Sequence, residues 1–271
     1  AAFGSREPSG VLGLGMTEPR IALLGVEKTY GAQRALAAVD FEVAAGEFVA
    51  LVGASGSGKT TLLKTINGLI VPDGGEVRID GRLVSGEPGH LLRRAIGYVF
   101  QEVGLFPHLT VAENIAITPR LLGWDKARMD ARVDELLDLV ALPREMGRRF
   151  PAALSGGQRQ RVGVARALAA EPRIVLMDEP FGALDPLTRD ALGEDYRALH
   201  ERLGLSTVMV THDMTEALLL ADRIAVVAGG RLIAQGAPED LARSDDPQVA
   251  ELLAAPRRQA ARLAQRLGAP A

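Results

Sequence analysis

The residues best suited to chemistry lie at 53–60, which read Gly-Ala-Ser-Gly-Ser-Gly-Lys-Thr and match the pattern G-x-x-x-x-G-K-[ST] at every fixed position. An apolar segment at 48–52 precedes them and a helical pattern at 61–69 follows, which is the context that this pattern requires. Glycines let backbone N–H groups surround phosphate oxygens, and a helix N-terminus adds a favourable dipole. We expect Lys59 to reach the β- and γ-phosphates of a nucleotide and Thr60 to hold Mg²⁺. The predicted phosphate-binding residues, called the phosphate loop below, are Gly53, Ala54, Ser55, Gly56, Ser57, Gly58, Lys59, Thr60 and Thr61.

Two acidic residues follow a second apolar segment. Residues 174–177 form an unbroken apolar run, as in a strand that is buried on both faces, and Asp178 and Glu179 come directly after it. Asp178 suits a water-mediated contact with Mg²⁺, and Glu179 suits the positioning and polarising of an attacking water. Such a strand end is common by itself and is then more often a loop cap than a catalytic pair. Together with the phosphate loop it predicts nucleotide hydrolysis.

A third segment, residues 154–158 (Leu-Ser-Gly-Gly-Gln), predicts a second anion site, because Ser-Gly-Gly stands at the start of a helical pattern. One chain cannot easily place both anion sites on the same phosphate chain. The segment resembles the signature of the ABC ATPase family, and the resemblance covers roughly residues 19–240. It implies a head-to-tail dimer, in which the signature of each copy closes on the γ-phosphate held by the other. The implied nucleotide contacts are Ser155, Gly156, Gly157 and Gln158.

Further residues resemble landmarks of the same family, in the same order. The resemblance implies that Tyr30 stacks on adenine and that Gln101 senses both Mg²⁺ and the attacking water. It also implies that His212 contacts the γ-phosphate and that Asp185 belongs to a loop that crosses the dimer interface. Taken alone, Tyr30 is more typical of a half-buried turn, and a lone histidine at a strand end is usually structural. The implied catalytic residues are Glu179, His212 and Gln101, and the implied metal-binding residues are Thr60, Gln101 and Asp178.

A closer resemblance lies in residues 101–115, which look like the corresponding stretch of importer ATPases. The resemblance implies that this stretch begins a helical subdomain and forms a groove for the coupling helix of a membrane permease. Residues 104–108, 114–115 and Trp124 are most similar to the osmoprotectant branch, which imports glycine betaine, choline and related quaternary amines. Residues 181–186 and 211–213 also suit that branch. Some of its members carry C-terminal CBS domains, and we expect none within the 271 residues of this chain.

The resemblance therefore implies an ATP- and Mg²⁺-dependent motor subunit of an importer. The implied partners are a second, identical copy, transmembrane permease subunits and an extracytoplasmic solute-binding protein, with the chain lying peripherally on the cytoplasmic face of the inner membrane. One alternative keeps the importer and changes the cargo to amino acids, sulfonates or polyamines. A remote alternative is a soluble ABC protein of translation or DNA repair. Such proteins typically carry two cassettes or a long insertion, whereas this sequence has one phosphate loop and one signature.

Strand and helix patterns alternate at both ends of the sequence, with a helical block between them. This order predicts an α/β fold with a mainly parallel sheet, and the resemblance adds an antiparallel β subdomain and an inserted helical subdomain at about 103–167. The predicted strands are residues 21–26, 41–43, 48–52, 77–79, 83–84, 96–100, 174–177, 207–210, 224–227 and 232–234. The predicted helices are 61–69, 154–170, 189–203 and 214–221, with helical patterning through 109–142.

Both ends differ from this central pattern. Residues 1–15 are small, glycine-rich and unpatterned, which predicts a disordered leader or a cloning remnant ahead of an ATPase domain at 16–245. Residues 246–271 predict a short basic helical tail, in which Arg258, Arg262 and Arg266 form a stripe and Leu263 and Leu267 lie on another face. We favour a solvated helix. The alternative is contact with anionic lipid headgroups near the permease.

Composition excludes several classes of protein. Hydrophobic residues make up 47% and charged residues 24%, as in an ordinary globular protein. The net charge of −3 does not suggest nucleic acid as a partner. The chain has no cysteine, so disulfides and thiolate metal sites are excluded. No apolar run approaches the roughly 18 residues of a membrane-spanning helix, so any membrane attachment depends on another subunit.

Overall fold

A computed structural model describes residues 18–244 and 246–267. The predicted leader, residues 1–15, lies outside them. The strands are β1 (Ile21–Tyr30), β2 (Gln33–Val43), β3 (Phe48–Val52), β4 (Gly74–Ile79), β5 (Arg82–Leu83), β6 (Ile96–Val99), β7 (Ile174–Asp178), β8 (Ser206–Val210), β9 (Arg223–Ala228) and β10 (Arg231–Gly236). The helices are α1 (Lys59–Ile66), α2 (Gly89–Ala95), α3 (Val111–Ile115), α4 (Ile117–Leu121), α5 (Lys126–Leu139), α6 (Gly156–Leu168), α7 (Pro186–Leu203), α8 (Met214–Leu220), α9 (Pro238–Leu241) and α10 (Pro247–Leu267). No helix in this described part is long and apolar enough to cross a bilayer.

A six-stranded sheet with the order β10-β9-β3-β8-β7-β6 forms the centre of the fold. Its strands are parallel except for β10, which is antiparallel to β9. All residues of β3, β7 and β8 are buried, as expected for parallel strands that are covered on both faces. The register pairs Val210 with Leu51 on one side and with Asp178 on the other. The phosphate loop and the two acids therefore leave the sheet at the same edge.

A four-stranded antiparallel sheet with the order β2-β1-β4-β5 lies beside this centre. Helix α1 is held between the two sheets, because its Leu62, Leu63 and Ile66 are fully buried in a core that includes Phe41 of β2 and Leu51 of β3. Burial of one large aliphatic side chain contributes roughly 1.5–3 kcal/mol. The helix that follows the phosphate loop is thus fixed from both faces.

The helical block packs α3 and α5 against α6 in a second core. The first turn of α3 has a capping box, in which the side chains of Thr110 and Glu113 each accept from the backbone N–H of the other residue. Asn114 is fully buried. Its side chain accepts from the backbone N–H of Phe106 and donates to the carbonyls of Phe106, Leu109 and Thr110. One amide thereby fixes the loop between β6 and α3.

The structure confirms the predicted fold class, with differences in individual elements. Helix α1 begins at Lys59 and ends at Ile66, so it is shifted toward the loop relative to the predicted 61–69. Strand β2 begins at Gln33, well before the predicted residue 41, because register shifts and the positive φ of 50° at Ala38 interrupt its alternation. Helix α2 was not predicted at all.

The tail forms one helix, α10, which encloses Pro256. Val249 and Leu253 are buried against the second core, next to Val226 of β9. Farther along α10, Arg258 and Arg262 are exposed. Arg266 is exposed as well, whereas the side chains of Leu263 and Leu267 lie outside the described part of the structure.

Candidate nucleotide-binding site

The phosphate loop depends on glycine at two close backbone contacts. A Cβ atom on Gly53 would lie 2.1 Å from the carbonyl oxygen of Val227, and one on Gly58 would lie 2.4 Å from that of Ala35. Both glycines have positive φ, 147° and 110°, which favours glycine for a second reason. The loop therefore cannot accept side chains at these positions without moving.

Lys59 closes the loop from inside. Its Nζ donates to the carbonyl oxygens of Gly53 at 2.7 Å and Ala54 at 2.9 Å. Burial lowers the pKa of the Lys59 ammonium, and the carboxylates of Glu179 and Asp178 oppose that shift. The cation is thus placed in advance where an anion can replace the two carbonyl contacts.

A cavity of about 240 Å³ opens over this loop. Its wall includes Tyr30, which is 49% exposed, and Glu179. Ser57 is buried, and its Oγ has no hydrogen-bond partner among the described residues. A bound phosphate group would accept from the unpaired Ser57 hydroxyl and from the buried Lys59 ammonium. The glycines belong to the same loop and approach neighbouring backbone closely.

Oxygen atoms from α1, β6 and β7 meet where the central strands end. The Thr60 hydroxyl donates to Oδ1 of Asp178 at 3.0 Å, and the Tyr98 hydroxyl lies 3.4 Å from Oδ2. Burial, followed by the charge of Asp178, raises the pKa of Tyr98, so the phenol stays protonated as a donor. Hydroxyl and carboxylate oxygens are ligands that Mg²⁺ accepts. Tyr98 was not predicted, although its place two residues before the end of the 96–100 strand segment could have indicated it.

Two of the predicted catalytic residues, Gln101 and His212, contact the same carboxylate oxygen of the third, Glu179. Gln101 Nε2 donates to Oε2 of Glu179 at 3.1 Å, and Nδ1 of His212 lies 3.2 Å from the same atom. Glu179 has a positive φ of 47°, and its backbone N–H donates to the carbonyl of Val210 at 2.9 Å. A non-glycine residue in this conformation is strained by about 1–3 kcal/mol and is common at functional sites.

The signature, residues 154–158, does not line the cavity over the phosphate loop. Ser155 and Gln158 form a capping box, with distances of 3.0 and 3.2 Å between side chain and backbone. Gly157 packs against Thr188, since a Cβ atom at Gly157 would lie 2.6 Å from its methyl group. Asp185 caps α7 by accepting from the N–H of Thr188. Within the described residues, no hydrogen bond joins the signature to the phosphate loop.

An ionic network that the sequence did not predict joins the loop at 182–185 to the loop of His212. Arg189 donates to the carbonyl of Leu184 at 3.2 Å and to the carboxylate of Asp213 at 3.3 Å. Its Nε lies 3.6 Å from Glu216, whose other oxygen accepts from Thr211 at 2.6 Å. Burial raises the pKa of Glu216. Arg189 and Glu216 each stand four residues after a predicted landmark, which is the signal that could have revealed them.

A second cavity, of about 530 Å³, opens between β6 and the helical block and is called the groove below. Leu69, Phe100 and Phe106 contribute apolar surface to it, and each is 45–50% exposed. Ile117 and Arg166 also line it. This is the region in which the sequence predicts the groove for a permease.

These features are shared with known proteins. The profile of the ABC transporter family matches residues 36–182. The chain belongs to the ABC transporter family of ATP-binding proteins. It is 48% identical over 232 residues to the choline transport ATP-binding protein OpuBA of Bacillus subtilis, a match that spans 85% of this chain and 61% of OpuBA. It is 50% identical over 213 residues to the glycine betaine uptake system ATP-binding protein YehX of Escherichia coli, spanning 79% and 69%.

Identity of similar size extends to another cargo. The sulfate/thiosulfate import ATP-binding protein CysA of Caulobacter vibrioides is 49% identical over 234 residues, which span 85% of this chain and 68% of CysA. Among solved structures, a dimeric post-hydrolysis state of the ATP-binding cassette MJ0796 with ADP and Pi superposes with a TM-score of 0.74 at 35% identity, covering 80% of this chain and 98% of the other. The similarity thus supports the fold more strongly than any particular cargo.

Proposed function

We propose that this chain binds and hydrolyses ATP and powers an ABC importer from the cytoplasmic face of the inner membrane. The observation that carries this proposal is the convergence of Gln101 and His212 on one carboxylate oxygen of Glu179, beside a phosphate loop. A carboxylate held in this way can orient and polarise an attacking water. His212 then contacts the γ-phosphate, and Gln101 links that place to the metal.

The other residues bind and orient the nucleotide. Tyr30 stacks on adenine, the phosphate loop surrounds the phosphates with N–H donors, and Lys59 balances their charge. Thr60, Gln101 and Asp178 supply oxygen atoms that would hold Mg²⁺ directly or through water. When bound, Mg²⁺ neutralises the charge that develops on the phosphate oxygens. The existing contact between Thr60 and Asp178 supports this assignment.

The active form is a head-to-tail pair of identical copies on a transmembrane permease. The separation of the signature from the phosphate loop within one chain supports this arrangement, because a second copy can bring its signature to the γ-phosphate. The dimeric state reported for MJ0796 is consistent with it. The groove receives the permease, and an extracytoplasmic binding protein delivers the solute.

The hydrolytic part of the proposal is tested with Glu179→Gln. The amide keeps the size of the side chain but cannot polarise water as the carboxylate does, so we expect nucleotide affinity near the wild-type value and at least a hundredfold slower turnover, about 2.7 kcal/mol or more. The variant should accumulate as an ATP-bound dimer in size-exclusion chromatography. Glu194→Gln, an exposed change on α7, is the control. Wild-type turnover of Glu179→Gln would contradict the assignment of the catalytic base.

The cargo we propose is a quaternary-amine osmoprotectant such as glycine betaine or choline. The support is the similarity to OpuBA and YehX and the sequence of residues 104–108, which line or adjoin the groove. The similarity to CysA favours the alternative that the importer carries another small solute. The cation of such an amine binds aromatic faces, and we assign that cage to the binding protein, because this chain is only 4% aromatic.

Disruption of the gene separates the two cargo proposals. We expect loss of high-affinity uptake of radiolabelled glycine betaine, choline or carnitine, with amino-acid and sulfate uptake unchanged. The purified chain should bind ATP and none of these amines in equilibrium dialysis. Normal uptake of all three amines with loss of another solute would overturn the cargo and leave the ATPase proposal intact.

A further inference from the structure

Helix α6 carries a buried arginine that the proposed mechanism does not use. Arg166 is 9% exposed, and within the described residues it forms no ion pair. Its guanidinium donates to two carbonyl oxygens instead, those of Val103 at 2.6 Å and Gly104 at 2.7 Å. A buried cation without a counter-ion is costly, which points to a role in holding these two carbonyls.

The two carbonyls belong to the turn that directly follows Gln101. Val103 has a positive φ of 31°, which is strained for a β-branched residue. Its side chain packs on Gly163 of α6, where a Cβ atom would approach the Val103 methyl group to 2.9 Å. Gly163 and Arg166 stand three residues apart and therefore share one face of the helix. That face, called the loop seat below, holds the turn in its strained form.

The loop seat lies between the groove and the hydrolytic site at Glu179. In an importer the states of these two places must be linked. On one side, Arg166 and Phe100 both line the groove, and the Arg166 Cζ atom is 5.7 Å from the centroid of the Phe100 ring. On the other side, Gln101 donates to Glu179. In sequence, Gln101 thus stands directly between Phe100 and the turn at 102–104, and a partner that reaches Phe100 or Arg166 in the groove would contact residues that hold this turn.

The same helix also carries the signature at its other end. Helix α6 begins at Gly156 and ends at Leu168. Arg166 is therefore roughly 15 Å along the axis from the signature, at 1.5 Å per residue. One helix therefore connects the loop seat to the signature, which approaches the second copy in the proposed dimer.

We propose that Arg166 is a positioning residue that sets Gln101 against Glu179. The inference rests on the proposed ATPase function and goes beyond it. Arg166 touches no nucleotide in this proposal; it acts by fixing the carbonyls of residues 103 and 104. The two terminal nitrogens of the Arg166 guanidinium donate to one carbonyl each, a planar fork that the single Nζ of a lysine does not reproduce, so lysine is not equivalent.

The kinetic test uses the full chain with Arg166→Lys, Arg166→Met and Gly163→Ala. We expect kcat for ATP to fall about tenfold in each, because a charge-assisted hydrogen bond or the packing under Val103 is lost, while KM for MgATP stays within about twofold. Arg132→Lys is the matched control, since Arg132 is also a shielded arginine that donates to a backbone carbonyl, that of Leu168, and neither residue lines the groove. Unchanged kcat in Arg166→Lys and Arg166→Met would overturn the proposal.

A spectroscopic test separates positioning from general stability. The chain has no cysteine, so Glu102→Cys gives a single attachment site for a nitroxide spin label on the seated turn. We expect Arg166→Lys to increase the mobility of that label, whereas a label at Glu194→Cys on α7 keeps the wild-type spectrum. Equal changes at both sites, or no change at residue 102, would overturn the proposal. Arg166→Lys retains the charge and most of the volume, so this arm remains decisive if Arg166→Met fails to fold.

The outcomes also separate this inference from the function on which it rests. If the wild-type chain hydrolyses no ATP, the proposed function fails, and the spin-label arm still decides whether Arg166 positions the turn. If the wild-type chain is active and Arg166→Lys matches it in both kcat and label mobility, the ATPase proposal stands and the positioning role of Arg166 is wrong.

Discussion

The phosphate loop and the signature both place glycines at the start of a helix, yet they use them in opposite ways. In the phosphate loop, Gly53 and Gly58 have positive φ and touch other strands, and the hydroxyl of Ser57 has no partner among the described residues. In the signature, neither Gly156 nor Gly157 has positive φ, and the side chain of Ser155 is already bonded to Gln158.

This difference indicates which site is complete in one chain. The phosphate loop has a buried hydroxyl at Ser57 that is unpaired within the described residues, a buried cation at Lys59 and a cavity above them, and a bound phosphate would contact all three. The signature is a well-capped helix start that needs nothing further from its own chain. In the proposed dimer, its use as an anion site therefore depends on what a second copy brings to it.

The largest expected effect is complementation between two inactive variants. Lys59→Ala removes the cation of the phosphate loop, and Gly156→Asp places a carboxylate where the proposed dimer would bring the partner's γ-phosphate. Gly156 is the better target, since a Cβ atom there meets nothing closer than 3.9 Å, whereas Gly157 is packed against Thr188. In a head-to-tail pair, the mixture regenerates one composite site with both wild-type halves. We expect at least tenfold more ATPase activity in the mixture than in either variant alone.

Mixing ratios provide the control for that experiment. Activity should follow the fraction of mixed pairs and peak near equal amounts. Each variant alone, at the same total protein concentration, sets the baseline. Absence of rescue at every ratio, with mixed pairs demonstrated by cross-linking, would show that the two sites must both be intact or that the arrangement is not head-to-tail.

A smaller effect compares the glycines directly. Gly58→Ala forces a side chain into a φ of 110° and within 2.4 Å of a carbonyl oxygen, so we expect a loss of about 1–3 kcal/mol in the free energy of unfolding. Gly156→Ala adds a methyl group to a helix with free space, so we expect no loss and a gain of up to about 1 kcal/mol. Urea titration without nucleotide measures both. Equal stability losses would mean that the two glycine pairs do not differ as described.

The smallest effect concerns the tail. Truncation after Pro256 keeps the buried Val249 and Leu253 and removes the basic stripe. We expect unchanged sedimentation with anionic liposomes, because α10 lies beside β9 while the groove lies at β6. Across the strand order, β9 and β6 are separated by four strand spacings, roughly 19 Å.

A full-length chain with Arg258, Arg262 and Arg266 changed to glutamine is the matched control for that truncation. If liposome binding falls in both variants, the alternative of headgroup contact is correct, and each arginine near the surface contributes about 1 kcal/mol. If it falls in the truncated chain alone, the tail acts through its packing and not through its charge.

Much of the fold was predictable because its strongest signals are local. Strand β3 was predicted without error and β7 and β8 to within one residue, since strands buried on both faces are continuous apolar runs. Strand β2 was largely missed, because its bulges break the two-residue alternation on which such predictions rest. Helix α2 was missed because it is short and buries only Leu92.

The candidate site divides in the same way. The phosphate loop, Asp178 and Glu179 were predictable because the glycines, the lysine and the acids stand next to one another or at a strand end. Tyr98, Arg166, Arg189 and Glu216 were not singled out, because each acts on a residue that is distant in the sequence. Arg166, for example, donates to carbonyls 62 and 63 positions away.

The sequence alone determined the class of chemistry, since the spacing of residues 53–60 already specifies a loop that surrounds phosphate. It also determined the α/β class, through the alternation of strand and helix patterns. Tertiary structure decided that Gln101, Glu179 and His212 meet at one oxygen atom and that the signature does not join them within the chain. The physical reason is that parallel register sets which strand ends become neighbours, and register depends on side-chain packing across the whole sheet.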